Sequence, residues 1–348
     1  MFFPLHKKPS PNKNTTGSNP VAPNQDPFPA GVEVLHNPAN ATIDVCFIHG
    51  LAGNRNSTWT PTGDSREWPR TLLPQQLPHA RILTYGYDSY PVRGTVASSN
   101  RLIDHAMNFL SDLTADREIS GATSRPLIFV AHSLGGLVCK EALLLSRNNP
   151  EPAFLNLYKC FKGIIFMGTP HRGSWMADWA KISASALSPF KSVNKSLLEI
   201  LQTNDQLLES IQVGFLSMIR QLRESGVPVG VTCFFEEQPL QGAGMVVPKF
   251  SATLDGYNAM SIHANHRSMV KFQSPHDNGF KRVVAELMRW ESETRSESHA
   301  RHPRDRGLDR RYESGIRNDF ARHGIHVTQN GHGSSFTGAT FNGPVKFG

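Results

Sequence analysis

The sequence predicts an α/β domain, a mostly parallel central sheet with helices on both faces, flanked by disordered N-terminal and C-terminal tails. Three observations predict it. Apolar runs of strand length alternate with stretches whose apolar residues recur at helical spacing, the pattern of a sheet covered on both sides. Residues 126–139 read Pro-Leu-Ile-Phe-Val-Ala-His-Ser-Leu-Gly-Gly-Leu-Val-Cys, which is strand, tight turn, helix, with Ser133 at the turn. The hydrophobic share of the 348 residues is only 39%, low for a wholly folded chain, and the deficit lies at the two ends.

In chain order, residues 1–27 are rich in Pro, Asn, Ser and Thr and are read as disordered. Strands are expected at 32–35 and 41–48, the second ending at His49-Gly-Leu-Ala-Gly53. A loop with a short helix carries Trp59 and Trp68, and residues 80–86 form another strand. Leu102, Ala106, Phe109, Leu110 and Leu113 then fall on one helical face. Residues 127–131 are a breaker-free apolar run suited to a buried parallel strand, and 137–145 combine good helix formers with apolar spacing of three and four. A strand at 162–167 runs into Gly168-Thr-Pro-His-Arg-Gly-Ser174. Residues 174–225 are a long helical stretch, read as a helical cap insert. Strands at 227–235 and 245–250 follow, then a helix that begins after about residue 263 and ends near Trp290. The folded domain is placed at 28–294, an Arg-rich linker at 295–323, and a Gly-, Asn-, Ser- and Thr-rich tail with spaced aromatics at 324–348.

Composition narrows the function classes. No run of 18 apolar residues is present, so no membrane-spanning helix is expected. The apolar start at Met1-Phe-Phe-Pro-Leu turns polar at once and is too short for a signal-peptide core. Cys46, Cys139, Cys160 and Cys233 show no paired spacing and read as buried thiols in a reducing compartment, which places the protein in the cytoplasm. The net charge of +7 is concentrated in the linker, where arginines mix with acids. It is read as a solvated segment, and without interleaved aromatics no nucleic-acid partner is expected. The spacing of zinc proteases is absent, and Gly-Leu-Ala-Gly-Asn lacks the Lys-Ser/Thr of a phosphate loop, so neither metal nor cofactor is expected.

The turn at Ser133 suggests nucleophilic chemistry. Small residues must flank a serine held between a strand and a helix; Gly135 fills one place and Ala131, one methyl larger than glycine, the other. A serine hydroxyl is a weak nucleophile at neutral pH, so it needs a histidine to take its proton and a carboxylate to hold the histidine. The expected chain order is serine, acid, histidine. His266, after the last expected strand, is the candidate base, with His263 as fallback. Glu236, the first acid beyond the apolar run at 232–235, is the preferred acid; Glu237 and Asp255 are its rivals. Oxyanion stabilisation would come from the backbone N–H of Leu134 and from that of Leu51, with Gly50 as alternative.

Taken together, Phe47-Ile-His-Gly-Leu-Ala-Gly53, Arg81-Ile-Leu-Thr-Tyr-Gly-Tyr-Asp88, Val130-Ala-His-Ser-Leu-Gly-Gly136, Met167-Gly-Thr-Pro-His-Arg-Gly-Ser174 and Asn265-His-Arg-Ser-Met-Val-Lys-Phe272 resemble a family of fungal α/β-hydrolase domains. These often form the N-terminal effector of NOD-like receptors, and they are similar to eukaryotic lipid-remodelling serine esterases. The resemblance covers residues 30–290 and implies the α/β-hydrolase fold. It implies an intracellular lipase or esterase acting on a lipid ester, with Ser133, His266 and an acid in the Phe-Phe-Glu segment; a thioesterase, a protein deacylase or a catalytically silent adaptor is the alternative.

The tail carries a second resemblance. Ser335-Phe-Thr-Gly-Ala-Thr-Phe-Asn-Gly343 is nearly palindromic and is followed by Pro344-Val-Lys-Phe-Gly348. It resembles the PP amyloid signalling motif of fungi, a relative of the animal RHIM, with Phe336, Gly338, Phe341, Gly343, Val345 and Phe347 as the motif positions. That resemblance implies recruitment by a NOD-like receptor, or by other proteins with the same motif, in cell-death signalling. Association with a membrane surface on activation is expected. Spaced Phe and Val could form one dry face of a cross-β stack, with Asn and Thr laddering.

Overall fold

The apolar runs become a seven-stranded sheet. The computed structural model describes residues 29–50, 53–87, 100–172, 205–241 and 244–300. The first half runs β1 (Gly31–His36), β2 (Ile43–Ile48), α1 (Trp68–Thr71), α2 (Leu73–Gln76), β3 (Ala80–Gly86), α3 (Asn100–Ile119), β4 (Leu127–His132) and α4 (Gly135–Arg147). The second half runs α5 (Pro152–Cys160), β5 (Phe161–Met167), α6 (Asp205–Glu224), β6 (Gly230–Glu236), α7 (Lys249–Ala252), β7 (Asn258–Ile262) and α8 (Asn278–Ala300). The strand order is β1-β3-β2-β4-β5-β6-β7. Edge strand β1 is antiparallel to β3, and every other pairing is parallel. This sheet, with helices on both faces and a strand–turn–helix elbow after β4, is the α/β-hydrolase fold.

The faces of the sheet bury separate cores because strand side chains alternate. Cys46, Ile48, Phe129, Ala131, Ile164, Phe166 and Cys233 pack with residues of α3, α4, α5 and α6. Val45, Phe47, Ile128, Val130, Ile165, Met167 and Phe234 pack with Trp59, Trp68 and residues of α8. Both faces being covered, the central strands read as unbroken apolar runs. β3 and β4 lie on opposite sides of β2, so the sheet changes direction between β2 and β4. Open α/β sheets build their sites at the carboxyl ends of the strands flanking such a point. Gly50 follows β2 and Ser133 follows β4.

Two expectations are corrected near the C-terminal end. Residues 245–250 are not a strand: Val246 and Val247 are buried in a loop, and Pro248, which has no N–H to give a ladder, leads into short helix α7. The last strand is β7 instead, an edge strand whose first two residues are exposed, so it carries little apolar signal. The helix expected after residue 263 begins only at Asn278, where the carboxylate of Asp277 accepts the N–H of Gly279 at 2.7 Å. Of the expected cap, 205–224 is helix α6, while 174–204 lies outside the described residues. So do the segments 1–27 and 301–348. All four cysteines are buried and free. Among the described residues no helix is long and apolar enough to cross a membrane.

One buried cation was not foreseen. Lys140 on α4 is fully buried, and its Nζ lies 2.6 Å from Nδ1 of His171 and 2.5 Å from Oε1 of Gln212 on α6. It also stands over the rings of Phe166 and Phe215, at 5.1 and 5.4 Å from their centres. Burial pushes the ammonium down from its ordinary 10.5 to about 7. The unfolded chain therefore holds this proton more strongly between those values, and folding stability contributed by Lys140 rises with pH across that window and is lost as pH falls through it. Lys140→Met should flatten the slope of unfolding free energy against pH between about 7 and 10. Denaturant melts at several pH values measure this, and an unchanged slope would count against a buried neutral amine.

Candidate active site

The chain turns sharply at Ser133 because β4 must hand over to α4 within two residues. Ser133 has φ of 52°, the single non-glycine residue in the left-handed region among the described residues. That conformation costs an L-residue roughly 1–2 kcal/mol, and close packing of small residues keeps it in place. A Cβ on Gly135 would stand 2.4 Å from the carbonyl oxygen of His49, and one on Gly136 would stand 2.3 Å from Oγ1 of Thr169. Ala131 is fully buried and pairs with Ile48 and Phe166 on its two sides. Leu134 caps α4, where the first amides have no intrahelical acceptor, so its N–H is placed at the carboxyl end of the sheet.

The loop after β2 closes on Ser133. A Cβ on Gly50 would stand 2.6 Å from Cβ of Ser133. His49 is fully buried and stacks on Tyr87 with ring centres 4.4 Å apart. Its Nδ1 is 2.8 Å from the carbonyl oxygen of Gly50, and its Nε2 is 3.2 Å from the N–H of Tyr87. These partners require a proton on Nδ1 and a lone pair on Nε2, which is the neutral ring. Burial favours the same form, pushing His49 down to about 4. Leu51, the expected second oxyanion donor, lies outside the described residues.

The candidate base and acid meet. Nδ1 of His266 is 2.9 Å from Oε2 of Glu236, both side chains being almost fully buried. The distance is that of a hydrogen bond, although the alignment is looser than strict hydrogen-bond angles, and neither atom has another partner among the described residues. Such looseness is common before substrate binds. Oε1 of Glu236 accepts the backbone N–H of Val246 and, at 3.1 Å, that of Val247. Two amides and an imidazole thus replace the water that burial removes from this carboxylate. This also accounts for the irregular backbone at 245–247, whose amides serve Glu236 and not a strand ladder.

The rival acids are placed elsewhere. Glu237 faces away and pairs with exposed His263 at 2.9 Å, so the fallback histidine and fallback acid bind each other at the surface. Asp255 is 88% exposed and pairs with Arg172 at 2.7 Å. Gly168, with φ of 59°, lies against the His266 ring: a Cβ there would stand 2.8 Å from its Cε1. His132, the residue before Ser133, also touches the site, its Nε2 being 3.0 Å from the main-chain oxygen of His266. Sequence reasoning passed over His49, His132 and the amides of Val246 and Val247. For the first two a signal existed, since each adjoins a motif position; for the valine amides none did, because backbone donors leave no trace in residue type.

No family model matches the chain. The chain is similar to Protein SERAC1 of Mus musculus, 29% identical over 267 residues that cover 69% of this chain and 38% of that protein. With Protein SERAC1 of Homo sapiens it is 28% identical over 272 residues, 71% of this chain and 39% of that protein. The chain thus spans about two fifths of the length of the curated relatives it matches. Among solved structures it is similar to the lipase BlEst2 of Bacillus licheniformis, at 18% identity and a TM-score of 0.43, covering 73% of this chain and 97% of that one. A thermophilic esterase from Thermogutta terrifontis is 14% identical with a TM-score of 0.39, covering 76% and 93%. The fold assignment rests on the strand order and the elbow and not on these likenesses.

Proposed function

We propose that the protein is a serine hydrolase that cleaves carboxylic esters of lipids through an acyl-Ser133 intermediate. The observation that carries this reading is the left-handed serine between β4 and α4, together with a buried His266–Glu236 pair later in the chain. With Nδ1 of His266 turned to Glu236, Nε2 is the nitrogen left to take the Ser133 proton. The serine oxygen attacks the ester carbonyl, and His266 then gives the proton to the leaving alcohol. Water, deprotonated by the same nitrogen, releases the acid and restores Ser133. Glu236 steadies the imidazolium between the two transfers. The Leu134 N–H and a donor from the loop after Gly50 would face the oxyanion, each contributing about 10²–10³ in rate. The sequence blocks that resemble lipid-acting esterases support the lipid class, and four free buried cysteines are in keeping with a reducing compartment.

A fluorophosphonate probe should label the wild type and leave Ser133→Ala unlabelled, and lipid extracts of cells expressing the two should differ in one ester class. Equal labelling would sink the reading and leave the fold as a silent scaffold. Turnover of a labelled ester should fall at least about 10³-fold in the variant.

We extend the proposal to recruitment through the tail, supported by the near-palindrome at 335–343 alone, since these residues lie outside the described ones. In this reading a receptor carrying the same motif templates the stacking of residues 324–348 and gathers the hydrolase where it acts. A peptide of residues 324–348 should form fibrils with the ~4.7 Å cross-β repeat, and Phe341→Ala should slow them. A peptide that stays monomeric at high concentration refutes this part.

A further inference from the structure

One titratable side chain beside the nucleophile has no part in the acyl transfer just described. His132 ends β4, adjoins Ser133 and is buried. Its Nε2 lies 3.0 Å from the main-chain carbonyl oxygen of His266. A carbonyl only accepts, so Nε2 must carry the proton and donate. The ring also tilts against that of His266, with centres 4.8 Å apart at 39°. On its other side Nδ1 faces Gly50, where a Cβ would stand 3.3 Å away.

His266 sits in a turn after β7, where no strand ladder or helix holds its backbone. Its side chain is tied to β6 through Glu236, and the chain just before it is tied there too, since the carbonyl of Ala264 accepts the N–H of Glu237 and of Gln238. All three ties run to the end of β6 and the two residues that follow it. The tie to β4, the strand that carries the nucleophile, is the one from His132. We infer that His132 is a positioning residue for the ester hydrolysis, its Nε2–H holding the His266 backbone at a fixed place relative to Ser133. The inference rests on the serine-hydrolase reading above.

This role requires a neutral His132. Burial is the main force keeping it so, followed by the neighbouring His266 ring; the hydrogen bond to the His266 carbonyl opposes them, His49 and Lys271 add less, and the net effect holds His132 well below its ordinary 6.5. Were it charged, it would face the imidazolium that His266 becomes during turnover, and like charges at that spacing repel.

The test uses the full chain with a fluorophosphonate and p-nitrophenyl butyrate as probes. His132→Phe keeps a ring and loses the donor; His132→Gln keeps an N–H near the carbonyl and loses the ring. His132→Phe should lower kcat and the labelling rate about 10- to 100-fold with KM changed less than about twofold. His132→Gln should recover to within about threefold of wild type. Nitrogen-15 spectra of histidine-labelled wild type should show His132 neutral, protonated on Nε2, from about pH 5 to 8. The inference is overturned if folded His132→Phe matches wild type, if His132→Gln is as impaired as His132→Phe, or if His132 carries its proton on Nδ1 or titrates in that range. If His132→Phe does not fold, the Gln variant and the spectra decide. A wild type that takes no label sinks the hydrolase reading instead, while the spectra still report whether His132 donates to the turn.

Discussion

Everything at the carboxyl end of the sheet depends on how closely three pieces of backbone approach at Ser133. The end of β4, the start of α4 and the loop after β2 converge there, and the serine is forced to a left-handed φ of 52°. An L-residue stays in that region only where the surroundings exclude the alternatives. Gly50, Gly135 and Gly136 meet this demand, each lying where one added carbon would stand under 3 Å from a neighbour. The crowding holds Ser133 at the carboxyl end of the sheet, next to the start of α4.

The same closeness shapes the strands to either side. His266 approaches from beyond β7 and can do so only because Gly168, after β5, has no side chain. Glu236 at the end of β6 is drawn into the interior, and burying a carboxylate is tolerable only with donors on both oxygens. One oxygen takes the two valine amides and the other faces the imidazole. The loop at 245–247 is therefore irregular for a reason that lies in the site. The side chains of Val246 and Val247 seal the core while their backbone amides point at the carboxylate.

How legible these features were follows from what kind of interaction carries them. The alternation of strands and helices and the elbow could be read directly, because apolar periodicity and paired glycines are properties of residue type. The candidate serine, base and acid could be proposed from their order along the chain, and the structure brings His266 and Glu236 together. The last strand could not be read so, since β7 is an edge strand with exposed residues, while 245–250 has the more strand-like composition yet forms a loop and the start of α7. Nor could the partners of Lys140, because a buried lysine on a helix reads like any solvated one until its neighbours are known. Leu51 and the tail motif lie outside the described residues.

The two ends of the sheet handle charge in opposite ways, and that contrast bears on the chemistry. At the amino ends of the strands, Asp44 is fully buried and lies 2.5 Å from Arg117, 2.8 Å from Arg125 and 3.7 Å from Arg81. Removing one partner of such a buried cluster costs about 3–5 kcal/mol, so this end is locked by ions. At the carboxyl ends burial drives His49, His132 and His171 toward the neutral form, and it pushes buried Lys140, beside His171, down to about 7. Glu236 stands among them as the carboxylate in contact with His266. A site that develops one positive charge on an imidazole during reaction gains most when nothing nearby already carries one and a single anion is fixed beside it. The arginine cluster around Asp44 stands at the opposite ends of the strands from His266, which leaves Glu236 as the carboxylate beside the candidate base.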